Sequence, residues 1–151
     1  MTFPDIAQLV PHGGQMVLLD RVLAHDDERF CAELTITPDT VFFDGAGVGS
    51  WVGIEYMAQA IAAHAGYQAR LRGEPVKVGF LLGARRYQAS VPAFVLGSVL
   101  QVHIAHAMQG ENGLAAFECR IDDAASGAAL AHATLTVFEP ANVNEFLQRS
   151  F

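Results

Sequence analysis

Basic charge, cysteine and long uncharged apolar runs are all scarce in this chain of 151 residues. No apolar run is long enough to span a bilayer, because Glu55 interrupts the best candidate and Ala and Gly dilute it. The N-terminus has no basic segment followed by an apolar one, so no secretory signal is expected. The two cysteines, Cys31 and Cys119, stand alone with no C-x-x-C spacing. A reduced pair in a cytoplasmic protein is the expectation. Lys and Arg number 9 against 16 Asp and Glu, for a net charge of −7. That balance argues against a nucleic-acid partner. No histidine cluster has zinc spacing and no cofactor motif stands out, so neither metal nor cofactor is expected. The low charged fraction of 17% beside 52% hydrophobic residues excludes a disordered chain. A single domain over residues 1–151, with a core of its own, follows from the length.

The stretch from Ser50 to Arg70 is rich in Ala, free of Pro and spaced like a helix. Ser50 is a candidate N-cap, and Gly66 and Gly73 are candidate ends. Apolar side chains fall on nearly every side: Trp51, Val52, Ala58 and Ala62 around one direction, Ile54, Met57, Ile61 and Ala65 around the others. Such a helix is predicted to be buried. Glu55 is the one formal charge between Ser50 and Ala69, and Gln59 follows a turn later. A carboxylate there has two readings. It leans on the helix dipole or is satisfied by Gln59 and backbone donors; or it is a general acid/base tuned by burial.

Around this helix the sequence reads as sheet. Thr2 to Val10 suggests a short helix, and Pro11-His12-Gly13-Gly14 a loop. Met16 to His25 and Phe30 to Thr37 read as a hairpin of strands, with Phe30, Ala32, Leu34 and Ile36 on one face. Phe42 to Gly49 is a glycine-rich lead-in whose backbone N–H groups could face an oxygen anion. No Gly-Lys-Ser/Thr follows it, and no dinucleotide-binding unit is evident. Four strands follow the helix: Val76 to Gln88, Ser98 to Met108, Leu114 to Asp122 and Ala128 to Phe138. Residues 92–97 read as a loop. Asn112-Gly113 is the strongest hairpin signal, and the tail through Phe151 reads as a short helix or loose end. The class is α+β. To bury an all-apolar helix, an antiparallel sheet must curl around it or a second copy must cover it; the hotdog fold does both.

Five of the nine basic residues, Arg70, Arg72, Lys77, Arg85 and Arg86, fall in one window opposed only by Glu74. They are either solvated element ends or a docking patch for an acidic partner.

Several stretches, in order from Pro11 to Phe138, resemble the β-hydroxyacyl–acyl carrier protein dehydratases of the hotdog fold (the FabZ/FabA type). Pro11-His12 with Met16-Val17-Leu18-Leu19-Asp20-Arg21-Val22 is similar to the family's opening stretch. Phe42-Phe43-Asp44-Gly45 resembles the approach to its active-site loop. Ile54-Glu55-Tyr56-Met57-Ala58-Gln59-Ala60 resembles the helix motif, and Pro92 through Leu100 the turn into a later strand. Within the family the likeness is to the divergent dehydratase-like proteins of aryl polyene gene clusters. One departure is plain. Where the family carries a catalytic His after Phe-Phe-x-Gly, this chain has Ala46, and its loop to the helix is shorter.

The resemblance implies removal of water from a 3-hydroxyacyl thioester on an acyl carrier protein. Glu55 carries over as the acid/base, with Gln59 in support. His12 is the nearest replacement for the missing base. Backbone N–H groups at Gly49, Ser50 and Trp51 would polarise the thioester carbonyl. Trp51, Phe80 and Phe94 are candidates to line the acyl chain, and the five basic residues would dock the carrier protein. The resemblance also implies a dimer, homodimeric or heterodimeric with a homologous hotdog subunit. Two alternatives stay open: an acyl thioesterase in which Glu55 activates water, and a non-catalytic acyl-binding or partner subunit, kept alive by Ala46.

Overall fold

The computed structural model describes residues 3–11, 13–75 and 80–138. His12, Lys77, the Thr2 cap, the start of the strand expected from Val76 and the tail beyond Phe138 lie outside the described residues. Strand β1 (Arg21–His25) pairs with β2 (Arg29–Thr35). Then come the short β3 (Gly47–Gly49) and the helix α1 (Gly53–Leu71). Strands β4 (Phe80–Ala89), β5 (Ala93–Val95), β6 (Val99–Gln109), β7 (Leu114–Asp123) and β8 (Ala129–Phe138) complete the order. Six of them form one antiparallel sheet, β1-β2-β6-β7-β8-β4, and β3 pairs with β5 in a separate ribbon. The ribbon was not legible in the sequence: three residues a side, rich in Gly, carry no alternation to read.

The sheet wraps the helix because one face of each long strand is apolar. Phe30, Ala32 and Leu34 of β2, Leu100, Val102 and Ile104 of β6, and Phe117, Cys119 and Ile121 of β7 are all buried. They meet Tyr56, Met57, Ala60, Ile61, Ala63 and Tyr67 of α1 in one core. The β1–β2 turn is held by Asp26, whose carboxylate accepts the N–H groups of Glu28 (2.9 Å) and Arg29 (2.8 Å). Both cysteines are free and buried. Burial pushes the Cys31 thiol up to about 11 and Cys119 to about 12. Cys119 faces the core from β7, and Cys31 sits on β2, two strands away in the sheet order.

The helix differs from its sequence reading at three points. Ser50 is not the cap: Ser50–Val52 is a 3-10 turn leading into α1, and no side-chain cap bond forms at either start. Gly66 does not end the helix. Gly73 does, at φ 72°, with its N–H donated to the Arg70 carbonyl (3.1 Å) and Glu74 N–H to Ala69 (2.8 Å). The helix is also not buried all round. Ile54, Ala58, Ala62 and Ala65 are half-buried and Glu55 is exposed. These positions share one stripe, which the chain's own sheet leaves open.

Gly66 has another task. A Cβ there would run into the Leu9 carbonyl, so the N-terminal 3-10 segment (Ile6–Gln8) docks on the helix only over glycine. Gly66→Ala is expected to cost about 1–3 kcal/mol by overpacking. Thermal denaturation would show it as a melting point lower by several degrees.

His64, opposite Glu55 on the helix, is 5% exposed among Phe30, Phe117 and His25. The His25 ring in turn stacks on Tyr67 at 4.1 Å. Burial, reinforced by the neighbouring His25, brings the His64 imidazole down to about 4. His106 also disfavours its charge; Asp26 and the Asp27 backbone oppose the shift. The folded protein thus keeps this ring neutral while the unfolded chain protonates it near 6.5. Its stabilising contribution is present above 6.5 and is lost as pH falls toward 4, by roughly 3 kcal/mol at full extent. Guanidinium midpoints at pH 7 and 4.5 should reveal the loss, and His64→Phe should flatten it.

Candidate active site

The first turn of α1 is set by two contacts that sequence reasoning missed. The Tyr87 hydroxyl, from β4, donates to the Ser50 carbonyl. The Ser50 N–H donates to the Pro92 carbonyl at 3.0 Å. Gly53 is where this fits closely: a Cβ there would strike the Tyr87 hydroxyl and crowd Ile121 and Phe94. Neither partner was readable, because Tyr87 and Pro92 reach the turn only through the sheet.

These contacts change the expected anion-binding group. Ser50 cannot offer its N–H, which Pro92 already holds, and Gly49 lies in the ribbon opposite Ala93. The Trp51 N–H, in the first turn, precedes the helix's own bonds. Ahead of the turn, Asp44 accepts the N–H groups of Ala46 (2.9 Å) and Gly47 (3.0 Å), which hold its carboxyl below the usual range. Ala46 thus occupies an exposed turn held by Asp44, with no side chain for proton transfer.

Glu55 stands in the first turn of α1, where a negative charge is favoured by the dipole. It is exposed and makes no hydrogen bond or ion pair with any described residue. The greasy enclosure expected from the sequence is therefore absent in the single chain. Gln59 does not hold it either. The Gln59 carbonyl oxygen accepts Leu18 N–H (2.6 Å) and Leu19 N–H (3.3 Å), and its amide nitrogen donates to the Met16 carbonyl (2.7 Å). This buried amide pins the Met16–Leu19 segment onto the helix, one turn beyond Glu55.

The remaining candidates separate. Trp51 is exposed, next to Phe42 at 5.3 Å between ring centroids. Phe94 is fully buried against Tyr56 and serves the core, not a chain-binding surface. The Phe80 side chain lies outside what is described. The basic residues do not make one patch. Arg70, bonded to Gln8 (3.1 Å), and Arg72, paired with Glu74 (3.4 Å), lie at the far end of α1. That is about 30 Å along the axis from Ser50. Arg85 and Arg86 are exposed on β4, beside Tyr87 and hence near the helix start. Among the described residues no group of His, Cys, Asp and Glu could hold a metal ion. None of the described helices is long and apolar enough to cross a membrane.

An antiparallel sheet curled around one long helix, with a carboxylate on the helix's first turn, defines a hotdog-fold protein. The fold is shared with a thioesterase superfamily member of zebra fish (13% identity, TM-score 0.66, covering 90% of this chain and 91% of that one). It is shared too with a hypothetical thioesterase of Streptococcus pneumoniae solved with coenzyme A (13%, TM-score 0.62, 79% and 84%). A much nearer likeness is to a chain of the dehydratase heterocomplex ApeI:P from Xenorhabdus doucetiae, at 32% identity and TM-score 0.87 over 97% of each chain. The model of the ApeP-like family, described as ApeP dehydratase, matches residues 4–148. No curated protein matches the sequence. The chain belongs to the ApeP-like dehydratases, and its function is dehydratase-like, of the aryl polyene type.

Proposed function

We propose that this protein takes part in the elimination of water from a 3-hydroxyacyl chain held as a thioester on an acyl carrier protein, paired with a homologous hotdog subunit. The observation that carries this is Glu55: the carboxyl of a dehydratase-family helix, left uncovered by its own sheet beside an open apolar stripe. A related chain was solved as a dehydratase heterocomplex, and a second subunit on this face would supply what one chain lacks. Covering the stripe excludes bulk water from Glu55, so that a proton it gives up passes to the substrate and not to solvent.

In the reaction, an imidazole takes the C2 proton, and the electron pair moves into the thioester as an enolate. The Trp51 N–H stabilises the developing oxygen charge. The pair returns to form the C2–C3 double bond, the C3–O bond breaks, and Glu55 protonates the departing hydroxyl as water. The imidazole is His12 or one from the partner subunit, Ala46 having none to offer. Arg85 and Arg86, near the helix start, are the cations placed to meet an acidic carrier protein.

The test is to incubate the purified chain, alone and with a homologous subunit, with a 3-hydroxyacyl carrier thioester. Formation of the 2-enoyl thioester with the thioester intact is the expected result. Release of free thiol without an unsaturated product would make the protein a thioesterase instead. Activity that survives every substitution in this chain would make it a supporting subunit.

A further inference from the structure

Tyr87 reaches the start of α1 through an irregularity in β4. Arg85 and Gln88 pair with Thr134 and His132 of β8, so three steps on one strand face two on the other. The extra residue makes a β-bulge, a device that re-aims a side chain. Arg86 takes it up at φ 57°, a left-handed conformation that residues other than glycine rarely adopt. Strain of this kind gathers at functional sites. Next to it Tyr87 packs half-buried against the core, and its hydroxyl donates to the Ser50 carbonyl. Burial pushes the pKa of that hydroxyl up, so it stays protonated and able to donate.

The Ser50 carbonyl also accepts the Gly53 N–H at the entry to the helix. One bond would satisfy this oxygen; Tyr87 adds a second, on its other lone pair. Gly53 leaves room for it, since a Cβ there would strike the Tyr87 hydroxyl. The Ser50 N–H is held in turn by the Pro92 carbonyl at 3.0 Å. The Ser50 carbonyl and the Trp51 N–H are the two ends of one planar, conjugated amide. Two donors on the oxygen fix that plane and draw electron density toward the oxygen. The N–H at the other end becomes a stronger donor.

We infer that Tyr87 is a positioning residue: through the Ser50–Trp51 peptide it orients and strengthens the Trp51 N–H that meets the thioester oxygen. This rests on the proposed function for the part that Trp51 plays. One such donor is worth about 10²–10³-fold in rate, and a polarising neighbour strengthens a hydrogen bond by about 10–30%. Removing the Tyr87 hydroxyl should therefore slow the reaction about 2- to 8-fold.

Tyr87→Phe keeps the ring and removes only the hydroxyl. The assembled complex is given a 3-hydroxyacyl carrier thioester and, separately, butyryl pantetheine in D2O. The C2 protons of the butyryl chain exchange through the enolate, with no hydroxyl to expel. Tyr87→Phe should slow both processes about 2- to 8-fold at unchanged KM, whereas Glu55→Gln should slow only the elimination. In the 15N-labelled chain the Trp51 amide resonance should move upfield in Tyr87→Phe, as a less polarised peptide requires. An unmoved Trp51 amide, or full rates with the amide moved, overturns the inference. So does a change confined to KM and melting point, since Tyr87 would then serve binding or folding alone. Release of free thiol with no enoyl product, slower in Tyr87→Phe, supports the role of Tyr87 and sinks only the elimination.

Discussion

Glu55→Gln is expected to lower the rate of water elimination by about 10²–10⁴-fold, the usual weight of a positioned proton-transfer group. The substitution keeps size and hydrogen-bonding capacity and removes only the proton that can be given up. Because Glu55 is exposed and makes no bond to a described residue, the fold should hardly notice. The loss of a first-turn charge is worth about 0.3–1 kcal/mol. The expected pattern is a fall in kcat with KM and melting point nearly unchanged, measured on the assembled complex with a 3-hydroxyacyl carrier substrate. Full activity would move the acid to another subunit and leave this chain a scaffold. His12→Ala made in parallel decides which subunit owns the base.

Gln59→Leu should be the most destabilising single change near the site. Leucine fills the volume but leaves Leu18 N–H, Leu19 N–H and the Met16 carbonyl without their partner. Each unsatisfied buried group costs about 1–3 kcal/mol. Met16 is exposed and Leu18 half-buried, so water recovers part of it. A net loss of roughly 2–5 kcal/mol is expected in denaturant unfolding. Gln59→Glu should lie between, since a carboxylate still accepts from Leu18 and Leu19 but cannot donate to Met16. Hydrogen exchange should speed up over residues 16–19 in both variants. Because His12 precedes this segment in the chain, activity should fall in the same order if His12 is the base.

Much of the architecture was open to a reader of the sequence. Alternation in Phe30 to Ile36 and in Leu100 to Ile104 marks strands because one face of each meets the helix. Asn112-Gly113 announces its turn, and the structure has both residues at positive φ. The motif around Glu55 placed the chain among the dehydratases, a family the comparisons bear out. Gln59 was singled out beside Glu55, but its work lies elsewhere, on backbone groups forty or more residues away.

What composition and pattern determined, then, is a one-helix, antiparallel α+β chain with a lone carboxylate on its most apolar segment. Those are local properties: periodicity, turn chemistry and the rarity of charge. Tertiary structure alone decided that Glu55 faces outward, that Pro92 takes the Ser50 N–H, and that Arg70 and Arg85 sit at opposite ends of the helix. Apolar residues on every side of a helix tell how much surface must be covered. Whether the cover comes from the same chain depends on how far its sheet can curl, and this sheet stops short of one stripe.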